Sequence, residues 1–88
     1  MAEKTVVIVD PAGMHARPAS KVAHLAASFD EDVSITYKAR TIDAKSIMGL
    51  MSLGVPKDAE ITLQVNGDDD ESILSSILGE MKELGLIK

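Results

Sequence analysis

The chain has no cysteine and no tryptophan, and Phe29 and Tyr37 are its only aromatic residues. Without cysteine there is no disulfide, no CxxC redox pair and no thiolate metal site. That leaves His15 and His24 as the only possible nitrogen ligands, so neither a metal nor a cofactor is expected. Two aromatics give nucleobases almost nothing to stack on. Basic residues are also in short supply, nine against fourteen acidic ones, for a net charge of −5. This balance argues against nucleic acid and against anionic lipid surfaces as partners. Long apolar runs are missing as well. The β-type run Thr5 to Val9 is far too short for a signal-peptide core or a membrane span, so a cytoplasmic location is expected. Proteins and small molecules remain as partners. With 88 residues and no repeat or linker, the expectation is one domain over residues 1–88, and with no obvious extra hydrophobic surface, a monomer.

Apolar content is 45% and almost wholly aliphatic, and its spacing sets out the elements. Thr5 to Val9 is rich in β-branched residues and closes on Asp10-Pro11-Ala12-Gly13, a strand followed by a turn. Ala19, Val22, Ala23, Ala26 and Phe29 recur at helical spacing, with Arg17, Ser20, His24 and Ala27 on the opposite face, predicting a helix from Ala16 to about Ser28. Val33, Ile35 and Tyr37 alternate with polar neighbours, and a Lys38-Ala39 turn returns the chain as a strand over Arg40 to Asp43. Ser46 is placed to cap a short helix through Ile47 to Met51. Ile61, Leu63 and Val65 alternate as a last strand, and three aspartates lead into a helix over Asp70 to Leu84 that stops at Gly85. The order βαββαβα predicts an α+β two-layer open-faced sandwich, with a four-stranded, mostly antiparallel sheet and three helices on one face.

The chemistry concentrates in Gly13-Met14-His15-Ala16-Arg17-Pro18-Ala19-Ser20. A helix start leaves its first N–H groups unpaired and carries the positive end of the macrodipole, so an anion there meets donors already aimed at it. Pro18 is tolerated in a first turn, and the backbone N–H groups of Ala16 and Arg17 stay free for phosphate. The Arg17 guanidinium adds a fork of charged donors. A neutral imidazole can attack phosphorus and an imidazolium cannot. The helix N-terminus and Arg17 both disfavour a second positive charge, which is expected to keep His15 neutral. A lone histidine in a small domain is by default an ordinary surface residue; the helix-start context with arginine and proline favours the phosphate reading.

These residues resemble those of HPr, the histidine-containing phosphocarrier family of the bacterial phosphoenolpyruvate-dependent sugar phosphotransferase system. The resemblance covers essentially the whole chain. It rests on GMHARPAS around His15 and on the run Lys45-Ser46-Ile47-Met48-Gly49-Leu50-Met51-Ser52-Leu53-Gly54-Val55. It implies a carrier rather than an enzyme, with Enzyme I phosphorylating His15 as a pros-phosphohistidine and EIIA domains of sugar permeases receiving the phosphoryl group. It further implies that HPr kinase/phosphorylase phosphorylates Ser46, as in Gram-positive-type members, and that this form assists a catabolite repressor protein. Met14 stands where leucine or isoleucine is commoner, and Pro56-Lys57-Asp58 replaces a small glycine-bearing turn. The similar Crh proteins lack the active histidine, which His15 supplies here.

Ser20, His24, Ile47, Met48 and Met51 are the candidate partner-binding residues, because a carrier must meet several proteins and methionine-rich surfaces repack against each. Ile47, Met48 and Met51 could instead be core, and His24 an ordinary exposed residue. Two other functions fit the element order. A ferredoxin-like regulatory or small-ligand domain would treat His15 as incidental, and a small acyl-phosphate hydrolase would turn over without a partner.

Overall fold

The computed structural model describes all residues, Met1–Lys88. Its elements are β1 (Ala2–Val7), α1 (Ala16–Ala27), β2 (Asp32–Tyr37), β3 (Arg40–Asp43), α2 (Ile47–Ser52), β4 (Glu60–Asn66) and α3 (Asp70–Glu83). The four strands form one sheet in the order β1-β4-β2-β3, and every neighbouring pair is antiparallel. The sheet is therefore fully antiparallel rather than mostly so. The three helices cover one face, giving the expected open-faced sandwich.

Alternation along the central strands supplies the sheet's half of the core. Ile61, Leu63 and Val65 of β4 and Val33 and Ile35 of β2 point inward and are buried. They meet Ala19, Val22, Ala23 and Ala26 of α1 and Ile73, Leu74, Ile77 and Met81 of α3 in one cluster of 22 buried residues. Each fully buried aliphatic side chain contributes about 1.5–3 kcal/mol. On the open face the threonines pair across strands, Thr5 with Thr62 at 3.0 Å and Thr36 with Thr41 at 2.7 Å.

β1 departs from the expected span. It begins at Ala2, which pairs with Val65 and is buried, and it ends at Val7 opposite Glu60. Glu3 and Lys4 belong to the strand because this is an edge strand whose charged side chains stay in water. Past Val7 the backbone bonds leave the ladder: Ile8 donates to the Ala59 carbonyl at 2.9 Å and Val9 to the Leu86 carbonyl at 2.8 Å. The second bond holds the segment after α3, where Gly85 turns through φ +73° and returns Leu86 and Ile87 to the core.

The start of α3 also differs in detail. Asp69 occupies the N-cap position but makes no side-chain capping bond. Asp70 instead accepts from the Glu71 N–H at 2.8 Å and pairs with the Met1 amine at 2.9 Å. The Pro56-Lys57-Asp58 substitution closes as a tight turn with Asp58 left-handed at φ +72°. Asp58 donates to the Ile8 carbonyl at 2.7 Å, and Ala59 closes the turn on Pro56 at 3.3 Å.

Candidate functional site

The loop between β1 and α1 is built turn by turn. Asp10 opens it, its carbonyl accepting from the Gly13 N–H at 2.9 Å while its Oδ1 accepts from the Ala12 N–H at 2.8 Å. Gly13 follows at φ +69°, packed so tightly that a Cβ there would lie 2.2 Å from the Val55 carbonyl oxygen. The next amide, Met14, donates to that same oxygen at 2.9 Å, and the Met14 side chain is buried. The loop is thereby fixed to the segment that follows α2 and delivers His15 to the N-cap of α1.

His15 sits there with an extended backbone (φ −86°, ψ −177°) and makes no side-chain capping bond. Its carbonyl accepts from the Ala19 N–H at 3.0 Å. The N–H groups of Ala16 and Arg17 donate to no protein acceptor, so both remain available beside the histidine. Pro18 fills the first turn and is buried. The Arg17 side chain is exposed and takes part in neither ion pair of the molecule, which are Met1 with Asp70 and Asp10 with His15. The His15 side chain is 39% exposed, open enough for an incoming group to reach its ring.

One neighbour was not anticipated from the sequence. Asp10 Oδ2 lies 3.4 Å from His15 Nε2, with the Asp10 side chain only 19% exposed. The sequence places only positive groups near the ring, the helix start and Arg17, whereas the fold adds an anion. The Ala12 N–H bond, and secondarily the His15 contact, holds the Asp10 carboxyl below its ordinary proton affinity, so it stays ionised. The available signal was an Asp-Pro-x-Gly turn ending two residues before the histidine.

Ser46 takes the position expected of it. It is the exposed N-cap of α2, and its Oγ accepts from the Gly49 N–H at 3.0 Å. Lys45 beside it donates through Nζ to the Phe29 carbonyl at 2.9 Å, tying this corner to the end of α1. At the other end of α2, Arg40 donates to the Ser52 carbonyl at 2.9 Å. Ile47, Met48 and Met51 are 37%, 82% and 47% exposed, so this face of α2 is not core, and only Leu50 is buried. His24 is exposed and lines two shallow grooves, one with Ala23, Ala27, Lys45 and Ile47, the other with Ser20, Lys21, Leu25 and Glu80. The structure therefore brings His24 together with Ile47 and with Ser20, and it pairs His15 with Asp10. Ser46 makes no hydrogen bond to the loop that carries His15.

The donors around His15 suit an anion bound at the ring. Nothing among the side chains supplies a metal cage, since no group of His, Asp and Glu is clustered to hold one. No helix is long and apolar enough to cross a membrane.

Comparison with known proteins gives the family and the fold. The family described as PTS HPr component phosphorylation site matches residues 2–83. The histidine-containing phosphocarrier protein of Mycoplasma superposes with a TM-score of 0.96 at 33% identity, covering 99% of each chain. The phosphocarrier protein HPr of Bacillus anthracis gives 0.82 at 34% identity over 90% of this chain and 94% of that one. Crh of Bacillus subtilis, a catabolite repression protein solved as a swapped dimer, gives 0.73 at 35% identity, over 94% of this chain and 95% of its own.

Proposed function

The chain belongs to the HPr family of the phosphotransferase system, whose members are phosphocarriers and not enzymes, and from this premise we propose that His15 accepts a phosphoryl group from phospho-Enzyme I and passes it to EIIA domains of sugar permeases. The observation that carries this is the His15 ring, 39% exposed at the α1 N-cap, with the adjacent Ala16 and Arg17 N–H groups donating to no protein acceptor and the Arg17 side chain exposed and free of any ion pair. Phosphoryl transfer is largely positioning and charge stabilisation, so a carrier can supply half a site and let each partner complete it. Ala16 and Arg17 amides and the Arg17 side chain receive the phosphate oxygens.

Ser46 is the regulatory site. HPr kinase/phosphorylase phosphorylates it, and the Ser46-phosphorylated form assists a catabolite repressor. Its exposure and its capping geometry support this, because a phosphate on Oγ would face the first amides of α2 with little backbone change. The exposed Ile47, Met48 and Met51, together with Ser20 and His24, form the surface that partners meet. Incubation with phosphoenolpyruvate and Enzyme I tests the reading. One acid-labile phosphate is expected on the wild type and none on a folded His15→Ala variant; a variant that still gains that phosphate contradicts it.

A further inference from the structure

We infer that Asp10 is a positioning residue for this site: its carboxylate holds the proton of His15 on Nε2 and so presents Nδ1 as the free nucleophilic nitrogen. The inference rests on the carrier reading and deepens it. Neutral imidazole carries one proton, and the nitrogen without it is the one that attacks. An ionised carboxylate can only accept, so the ring nitrogen facing Asp10 Oδ2 at 3.4 Å is the one that keeps its hydrogen.

The carboxylate does not reach the ring by chance orientation. Oδ1 is committed to the Ala12 N–H at 2.8 Å, and the backbone of Asp10 closes the same turn by accepting from Gly13 at 2.9 Å. With Pro11 restricting the chain between them, the second oxygen is left pointing at Nε2. The depressed proton affinity of Asp10 follows first from the Ala12 bond and keeps the group anionic.

In the transfer step a bond forms between Nδ1 and phosphorus as the bond from phosphorus to the donor breaks, its electron pair leaving with the donor. The Nε2 proton stays in place, so the phosphorylated ring carries positive charge, which Asp10 offsets. Onward transfer reverses these changes, with the ring departing as neutral imidazole still protonated at Nε2. A phosphate attached to Nε2 would instead set a dianion against the carboxylate, so the same residue selects the site of attachment.

The test compares wild type with Asp10→Asn and Asp10→Ala. Asparagine can keep its oxygen on the Ala12 N–H, which turns its NH2 donor toward Nε2 and favours a proton on Nδ1. Long-range ¹H–¹⁵N correlation spectra of the unphosphorylated proteins, at a pH where both histidines are neutral, read the tautomers directly. The wild type should carry its His15 proton on Nε2. Asp10→Asn should shift it toward Nδ1 and accept phosphate on the order of tenfold more slowly, with Asp10→Ala intermediate in both. The His24 tautomers, unchanged across the three proteins, show that the effect is local. The same His15 tautomer ratio in all three proteins, or wild-type acceptance by Asp10→Asn, overturns the inference. Because the spectra need no partner, a wild type that shows the Nε2 proton but never accepts phosphate overturns the carrier reading separately.

Discussion

Gly13 lies against Val55 so closely that the backbone of one excludes any side chain on the other: a Cβ on Gly13 would sit 2.2 Å from the Val55 carbonyl oxygen. The Met14 amide uses that oxygen at 2.9 Å, so the contact fixes the loop just before His15. Gly13→Ala faces both this collision and a left-handed backbone, and we expect a loss of about 2–4 kcal/mol. Thermal unfolding should show this as a midpoint lower by roughly 10–25 °C. An unchanged midpoint would mean that the loop is not held against Val55.

Arg17 makes no ion pair and is exposed, so its removal should leave stability within about 0.5 kcal/mol of wild type. Its effect is expected on transfer. Loss of charge-assisted bonds to the phosphate costs about 1–3 kcal/mol, which slows phosphorylation by roughly 5- to 150-fold in Arg17→Ala. Rapid-quench measurement of transfer from Enzyme I checks this, and wild-type rates would show the guanidinium to be idle.

At Ser46 the two effects of the hydroxyl separate by substitution. Ser46→Ala deletes the acceptor for the Gly49 N–H and should cost about 1 kcal/mol, lowering the unfolding midpoint by roughly 4–8 °C. Ser46→Asp places a negative charge at a helix start and should keep or slightly raise the midpoint while slowing His15 phosphorylation. The slowing should weaken at higher salt, as repulsion from an approaching partner is screened. A Ser46→Asp protein that is inactive because it is unfolded would contradict this account.

Much of this architecture was legible because its signals are local. Ser46 caps α2 because serine chemistry at a helix start is a matter of three residues, and the expected Lys38-Ala39 turn returns the chain as a strand, with Tyr37 opposite Arg40. The apolar stripe of α3, Ile73, Leu74, Ile77, Leu78, Met81 and Leu84 at helical spacing, was equally plain; Ile73, Leu74, Ile77 and Met81 are buried, and Leu78 and Leu84 are partly buried against the core. What escaped depends on distant partners. Glu3 and Lys4 do not look like strand residues until Gln64 and Leu63 are beside them, and Leu86 and Ile87 enter the core through the Gly85 turn and the Val9 bond to the Leu86 carbonyl. His15 and Arg17 could be singled out by residue type and spacing, and Ser46 as a helix cap, its regulatory role being implied only by the family resemblance. The Asp-Pro-x-Gly turn marks Asp10 in the sequence, but the approach of its carboxylate to His15 follows from how the Asp10–Gly13 turn folds in three dimensions.

The Asp10 carboxyl also predicts a pH dependence of stability. Its folded-state proton affinity is depressed below the ordinary value of 3.8, so the unfolded chain takes up this proton first. The resulting stabilisation is fully present above about pH 4 and is lost as pH falls through the folded-state value. Relative to Asp10→Asn, the wild type should therefore lose midpoint temperature as the pH falls below about 4. Parallel curves for the two proteins below that point would contradict the assignment.

The central claim is that this chain stores a phosphoryl group on His15 for delivery and does not hydrolyse it. The most direct measurement starts from isolated phosphoprotein and follows its phosphate with and without an EIIA domain. The account predicts slow loss when the protein is alone, and rapid stoichiometric appearance of phosphate on EIIA when the acceptor is present. Release as inorganic phosphate at the same rate in both cases would contradict it.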